Sequence, residues 1–261
     1  MSFALGSEVM LLHPLLSWTI AILNASKISN FSLYLDPAVV DSRNLDLFLS
    51  QLNMPALSLL TIWSGQLSLT SLNNFLYRHQ VTALNLDRNT ITDDSSVISP
   101  MCVDRLLGLE GAASSLRMFL RGTSALTVLT SLHFTSIVTS DFDDIRHILH
   151  LLADTSDNTS DSSNSPSPPT TIGLKFQTKS DFKTYIAQGW HPGSGPRGSE
   201  TKLRRVKRLE ISPPWHYRVT ESDVLLLSHR LDFFPELQEL RLPDFCQDWA
   251  RALPSTVRLV R

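Results

Sequence analysis

Residues Val81–Ile91 read VTALNLDRNTI. Val81, Leu84, Leu86, Asn89 and Ile91 fill the frame L-x-x-L-x-L-x-x-N-x-L. The frame has a direct physical meaning. Leu84 and Leu86 alternate, so in an extended chain both point to one face. Asn89 follows where the chain turns away and its backbone groups lose their ladder partners. An amide side chain there can bond the backbone between stacked coils. The stretch predicts one coil made of a short strand, a turn and a return.

A six-residue version of the frame recurs at Ile28-Phe31-Leu33, Leu57-Leu60-Ile62, Leu129-Leu132-Phe134, Val206-Leu209-Ile211 and Leu237-Leu240-Leu242. Thr171-Leu174-Phe176 fits with Thr in first place, and Asp104–Glu110 holds another copy in register with either Leu106 or Leu107. The early copies start about 23–29 residues apart, inside the range of leucine-rich repeats. Helical periodicity lies between most of them. The apolar stripes are Leu45, Phe48, Leu49 and Leu52; Leu69, Leu72, Phe75 and Leu76; Phe142, Ile145, Ile148, Leu149 and Leu152; Phe182, Tyr185 and Ile186; and Val224, Leu227 and Leu231. Ser140–Asp143 and Thr220–Asp223 have the spacing of capping boxes. The apolar run Leu15–Leu23 predicts a further buried helix.

Strand and helix alternating in this way require parallel pairing with right-handed crossovers. A closed barrel, a doubly wound sheet and a solenoid share that pattern. Polar residues alternate with Leu in these strands, which suits a sheet with one wet face. The predicted fold is therefore an irregular α/β solenoid of about 7–8 strand-helix units with a parallel sheet. An enzyme on a barrel or doubly wound sheet, and a scaffold without a ligand, are the alternatives. One domain, residues 1–261, is expected. It carries a disordered insert at about 154–170, where DTSDNTSDSSNSPSPP has no apolar residue, and a Gly/Pro-rich flexible loop at about 189–201.

The stretch Leu106–Gly122, LLGLEGAASSLRMFLRG, places Leu109, Gly111, Leu116, Phe119, Leu120 and Gly122 as strand, Gly turn and L-x-x-F-L-x-G helix, and Leu237–Pro243 closes as L-x-x-L-x-L-P. With Val81–Ile91, these segments give most of residues 10–250 a texture that resembles the leucine-rich-repeat-like C-terminal region of fungal F-box proteins. The resemblance implies a substrate-holding module of a ubiquitin-ligase receptor. The F-box that would dock the ligase adaptor needs a Leu-Pro start and paired helices, and the chain opens in repeat-like sequence instead. Adaptor docking is implied only if an F-box is supplied elsewhere.

Composition narrows the function classes. The 261 residues include 44 Leu and 34 Ser, are 42% hydrophobic and 18% charged, and carry a net charge of −2. That balance argues against a general polycation for nucleic acid. Two cysteines, Cys102 and Cys246, form no disulfide framework and point to a reducing compartment, cytoplasmic or nuclear. Val9–Ala25 is too short and too interrupted to span a membrane, and no positive n-region precedes it. The sequons at Asn24, Asn30 and Asn158 are then chance matches.

No motif for catalysis, metal or cofactor stands out. Gly193–Gly198 matches G-x-G-x-x-G but follows a helix and contains Pro196, so it is read as a loop. Asp143, His147, His150 and Asp154 form one polar helical stripe that is read as solvated rather than zinc-binding. Lys202–Arg208, KLRRVKR, is read first as an exposed strand entry and second as a nuclear signal. Ser165 and Ser167 precede prolines in the acidic insert.

The strand positions between buried residues are expected to line a concave face that binds a protein. They include Tyr34, Trp63, Asp87, His133, Thr135, Lys175, Arg208, Glu210 and Arg241, with Trp215 and Tyr217 on the following loop. Aromatic residues and Arg are the usual anchors of such surfaces. The expectation is a non-enzymatic, monomeric binding module with no cofactor.

Overall fold

The computed structural model describes residues 1–261 except 13, 37–41, 88, 93–96, 124–125, 158–169, 189–202, 230, 244–252, 255 and 261. The acidic insert from 158, the Gly/Pro loop, Ser165, Ser167, Lys202 and Cys246 lie outside the described residues. The chain forms two compact units, Met1–Thr123 and Ser124–Arg261.

The repeat frames become strands in the first unit. They are β2 (Asn30–Tyr34), β3 (Leu59–Trp63), β5 (Ala83–Leu86) and β7 (Gly108–Gly111); β1 (Ser2–Leu5), which no frame marks, pairs beside β2, and the order is β1-β2-β3-β5-β7, all parallel. Phe31, Leu60, Leu84 and Leu109 stand opposite one another across β2, β3, β5 and β7, at intervals of 29, 24 and 25 residues. All four are buried. Each strand thus contributes one apolar side chain to the same buried row. The Asp104–Glu110 copy takes the Leu106 register: Leu106 is 2% exposed and Leu107 48%.

Between the strands lie α1 (Leu15–Ala25), α2 (Ser42–Gln51), α3 (Leu69–Arg78), α4 (Pro100–Val103) and α5 (Ala113–Phe119). The predicted stripes Leu45, Phe48, Leu49, Leu52 and Leu69, Leu72, Phe75, Leu76 are fully buried. A small parallel pair, β4 (Gln66–Ser68) with β6 (Thr90–Thr92), closes the turns.

Neighbouring strand-helix segments are joined by repeated polar staples. Asn89 is 4% exposed. Its amide donates to the Ile62 carbonyl and its oxygen accepts from Ser64 N at 3.0 Å and Ser64 Oγ at 3.1 Å. That is the bridging role its place in the frame predicts. Asn24, a formal sequon, instead holds Gln51 O at 3.0 Å and Asn53 N at 2.7 Å. Arg78 donates to Leu49 O and Leu52 O, and Arg105 repeats the device on Leu76 O, so each Arg satisfies carbonyls at the end of the preceding helix. Gly122 has φ +80°, and a Cβ there would come within 2.7 Å of Val97. The closing Gly of L-x-x-F-L-x-G is therefore required by its backbone.

The second unit has strands β8 (Ser131–Ile137), β9 (Thr170–Phe176), β10 (Val206–Ser212), β11 (Glu239–Arg241) and β12 (Arg258–Val260), again parallel and in chain order. Sequential order within each unit differs from a doubly wound sheet, where the order reverses at a switch point. Leu132, Ile172, Leu209, Leu240 and Leu259 form one cross-strand row. Helices α6 (Phe142–Asp157), α7 (Lys179–Gln188) and α8 (Glu221–Ser228) accompany it.

Three local expectations are corrected here. In β9, Ile172 and Leu174, not Leu174 and Phe176, pair with Leu132 and Phe134. The frame sits two residues earlier because Thr170 is buried, its hydroxyl donating to Leu129 O at 3.0 Å. Thr135 is buried rather than outward: Ser136 has φ +52° and the β8 register shifts beyond Phe134, turning the strand at that point. The cap before α6 uses Asp141, which accepts from Val138 N at 3.0 Å, in place of Ser140–Asp143. Thr220–Asp223 does form its capping box.

Candidate interaction face

The side of each sheet away from the buried rows carries the predicted contact residues, and parallel register sorts them. In the first unit Ser32, Thr61, Asn85 and Glu110 form a polar row. One step further along the strands Tyr34 pairs with Trp63, their rings edge to face with centroids 5.5 Å apart. Tyr34 is exposed and Trp63 half-buried. Asp87 follows β5, where Asn85 Oδ1 accepts its N–H at 2.9 Å.

In the second unit the pairing gives a charge mosaic. One row reads Ser131, Thr171, Arg208, Glu239, Arg258; the next reads His133, Gly173, Glu210, Arg241, Val260. Arg208 Nε meets Glu239 at 2.6 Å and Arg241 meets Glu210 at 3.2 Å. Opposite charges stand directly across neighbouring strands, and the sign inverts from one row to the next. At the end of this lattice Lys207 pairs with Glu236. The Arg208 hydrogen bond, reinforced by Arg241 and Arg258, holds the Glu239 carboxyl below the usual carboxylate range. Lys207 does the same for Glu236.

Gly173 matters to this surface by having no side chain. A Cβ there would overlap the His133 ring, so the imidazole lies across the Gly173 backbone. Lys175 is exposed in the following row, level with Ser212. A cleft of about 300 Å³ opens at the starts of β9, β10 and β11, lined by Thr170, Thr171, Lys207, Arg208, Gln238 and Glu239. Lys175, Lys207, Arg208, Arg241 and Arg258 set five cations against three carboxylates, Glu210, Glu236 and Glu239. The face is locally basic within a chain of net charge −2.

The loop after β10 divides into a structural and an exposed part. Tyr217 donates to Asp223, the acid of the α8 capping box, and its ring packs 5.5 Å from Phe182. Burial, then the Asp223 bond, push its phenol up to about 12, so it remains a donor. Lys179 and Lys183 lie 5.2 and 5.9 Å from the same ring. Trp215 is 96% exposed.

Register therefore brings together Arg208, Glu210 and Arg241 with His133 and Lys175 near them, and separately pairs Tyr34 with Trp63. Three participants escaped the sequence reading. Arg258 belongs to a three-residue strand with no helix-length pattern before it, Glu236 lies in a turn, and Gly173 acts only through its missing side chain. Among the described residues no group of three or more His, Cys, Asp or Glu is placed to hold a metal, and Asp143 of the polar stripe pairs with Arg146 at 2.7 Å. Cys102 is buried as a free thiol. No described helix is long and apolar enough to cross a membrane. No protein-family model matches the chain, and no curated protein matches it.

Proposed function

We propose that the chain is an irregular leucine-rich-repeat-like solenoid that works as a non-enzymatic protein-binding module, with the open strand face as its binding surface. The charge mosaic of the second unit is the observation that carries this reading. Half-exposed ion pairs add at most about 1 kcal/mol each to stability. Their value lies in complementarity: a partner must match alternating signs in two rows, and a wrong partner meets like charges. The Tyr34–Trp63 pair supplies the rigid aromatic surface on which interfaces commonly anchor.

The resemblance to the repeat region of F-box proteins supports a more specific version. In it the module holds a ubiquitin-ligase substrate, in cytoplasm or nucleus, with the adaptor contact supplied elsewhere. Lys175→Glu with Arg241→Glu tests the face without touching a buried residue. Quantitative capture from an extract of the source organism should lose the specific partner at least tenfold while the melting temperature moves little. Unchanged capture removes the strand face from the account.

A further inference from the structure

The first edge of the Met1–Thr123 unit looks like half of a core. Strand β1 pairs with β2 on one side only, and no described strand covers its other edge. Met1 O accepts from Ser29 N and Asn30 N, so the odd residues of β1 direct their backbone groups to β2. By strand alternation, Ser2 and Ala4 direct their N–H and C=O groups to the open edge. Of the devices that usually protect an edge, β1 shows shortness, being four residues long, but neither Lys nor Pro. Residues 1–12 contain no Lys and no Pro, and Glu8 is the only charged side chain before Lys27.

The helix beside that edge is apolar on the corresponding flank. In α1, Leu16, Ile20 and Leu23 are buried, and Asn24 reaches the end of α2. At 100° per residue, Leu15, Trp18 and Ile22 lie about 120–180° around the helix from Asn24, on the flank away from α2. They are 37%, 57% and 39% exposed, and Val9 and Leu12 beside them are 54% and 50% exposed. Together these five side chains leave roughly 400–500 Å² of apolar surface in one strip, near the upper limit of a single patch on a monomer.

We propose that this edge is a two-fold interface between two copies of the chain. An antiparallel β1–β1′ pair centred on Phe3 lets Ser2 of each copy exchange both backbone hydrogen bonds with Ala4 of the other. Phe3 then meets its own counterpart in the close, non-hydrogen-bonded position. Its ring already stacks on Phe31 at 6.4 Å, on the core side of the sheet. A two-fold axis normal to the sheet places both α1 helices on that same side, with Leu15, Trp18 and Ile22 facing their equivalents. The aromatic row of one copy continues into the other. Strip and strand together bury on the order of 600–800 Å² per copy, which meets the size of a stable interface. Glu8 and the Met1 ammonium, which donates to Ser29 Oγ at 3.1 Å, are the charges before Lys27, so little repulsion opposes self-pairing.

Sedimentation velocity on the full chain between about 1 and 100 μM provides the test. The expected result is a dimer of twice 29.2 kDa. Ile22→Glu places a carboxylate on the exposed flank, and the two-fold axis presents it twice, so the dissociation constant should rise at least about a hundredfold. Ala4→Pro removes an edge N–H that β2 does not use and should weaken the dimer independently, with an unchanged circular-dichroism spectrum. A monomer throughout the range overturns the proposal. So does a dimer that survives both substitutions, or an open-ended series of larger species, which would mean head-to-tail pairing. The outcome is independent of the strand-face substitutions tested above.

Discussion

Asn89→Ala strikes the residue on which the repeat reading began. The substitution deletes one donor and one acceptor at a site 4% exposed. Left behind are the Ile62 carbonyl, the Ser64 N–H and the Ser64 hydroxyl, with Ser64 itself 2% exposed. The Ser115 hydroxyl donates to the main-chain carbonyl of residue 89, so that bond survives. An unsatisfied buried group costs about 1–3 kcal/mol, and the Ser64 hydroxyl keeps some freedom to turn elsewhere. The expected loss is therefore about 3–5 kcal/mol, or roughly 10–20 °C in the melting temperature of a unit of this size. Urea unfolding, followed by Trp fluorescence and interpreted with Asn85→Ala as a surface control, measures it. Asn85 lies on the half-exposed row, and its loss should stay under about 1 kcal/mol. A double-mutant cycle with Ser64→Ala should recover at least about 1 kcal/mol of coupling. If Asn89→Ala costs no more than Asn85→Ala, neighbouring segments are not held together by this bridge and the reasoning from the frame fails.

Three further outcomes follow from the same structure. His79 is 1% exposed, with Nδ1 donating to Phe75 O at 2.7 Å and Nε2 accepting from Met54 N at 3.0 Å. Burial lowers its pKa below the ordinary 6.5, so the unfolded chain takes up the proton first. The stability linked to His79 is present above about pH 6.5 and is lost as pH falls below it. The urea midpoint should drop between pH 7.5 and 5.5 and drop less in His79→Gln; an equal drop in both excludes His79 as the cause. Burial raises the Asp181 carboxyl, but bonds from Thr178 and Thr139 outweigh that and hold it below its usual range. Its contribution is present above about pH 4 and fades as pH falls through its folded pKa. Asp181→Ala should cost about 2–3 kcal/mol at pH 7, and a loss below about 0.5 would contradict the network. Gly173→Ala should push the His133 ring off its seat, seen as a shifted imidazole proton resonance with a stability cost of about 1 kcal/mol. An unmoved resonance would show that the ring does not lie there.

Much of the fold is legible in the sequence because burial repeats with a fixed period. Phe31, Leu60 and Leu84 occupy the same place in three neighbouring strands, and Leu45–Leu52 and Leu69–Leu76 show their helices by spacing alone. The failures have identifiable causes. Apolar counting slid the β9 frame by two because it cannot see that a Thr170 hydroxyl is satisfied by a carbonyl 41 residues away. Strand β1 has four residues and, among the described residues, a partner strand on one side only. Sign and spacing of charges are visible in KLRRVKR, but whether Arg208 meets Glu239 depends on register across 31 residues. A bulge between Val206 and Arg208 sets a second register, that of β10 against β9. The proposed interaction face is thus a property of strand alignment, which no single segment contains.

The most direct test of the strand face as a protein-binding surface is site-specific photo-crosslinking at exposed positions on the two sides of the second unit. One probe replaces Lys175 on the open strand face, and the other replaces Leu226 on the outer side of α8, which is 42% exposed. Predicted is a discrete protein adduct from position 175, abolished when Arg241→Glu is added, and none from position 226. Equal adducts from both positions, or an adduct at 175 indifferent to Arg241→Glu, would contradict the account.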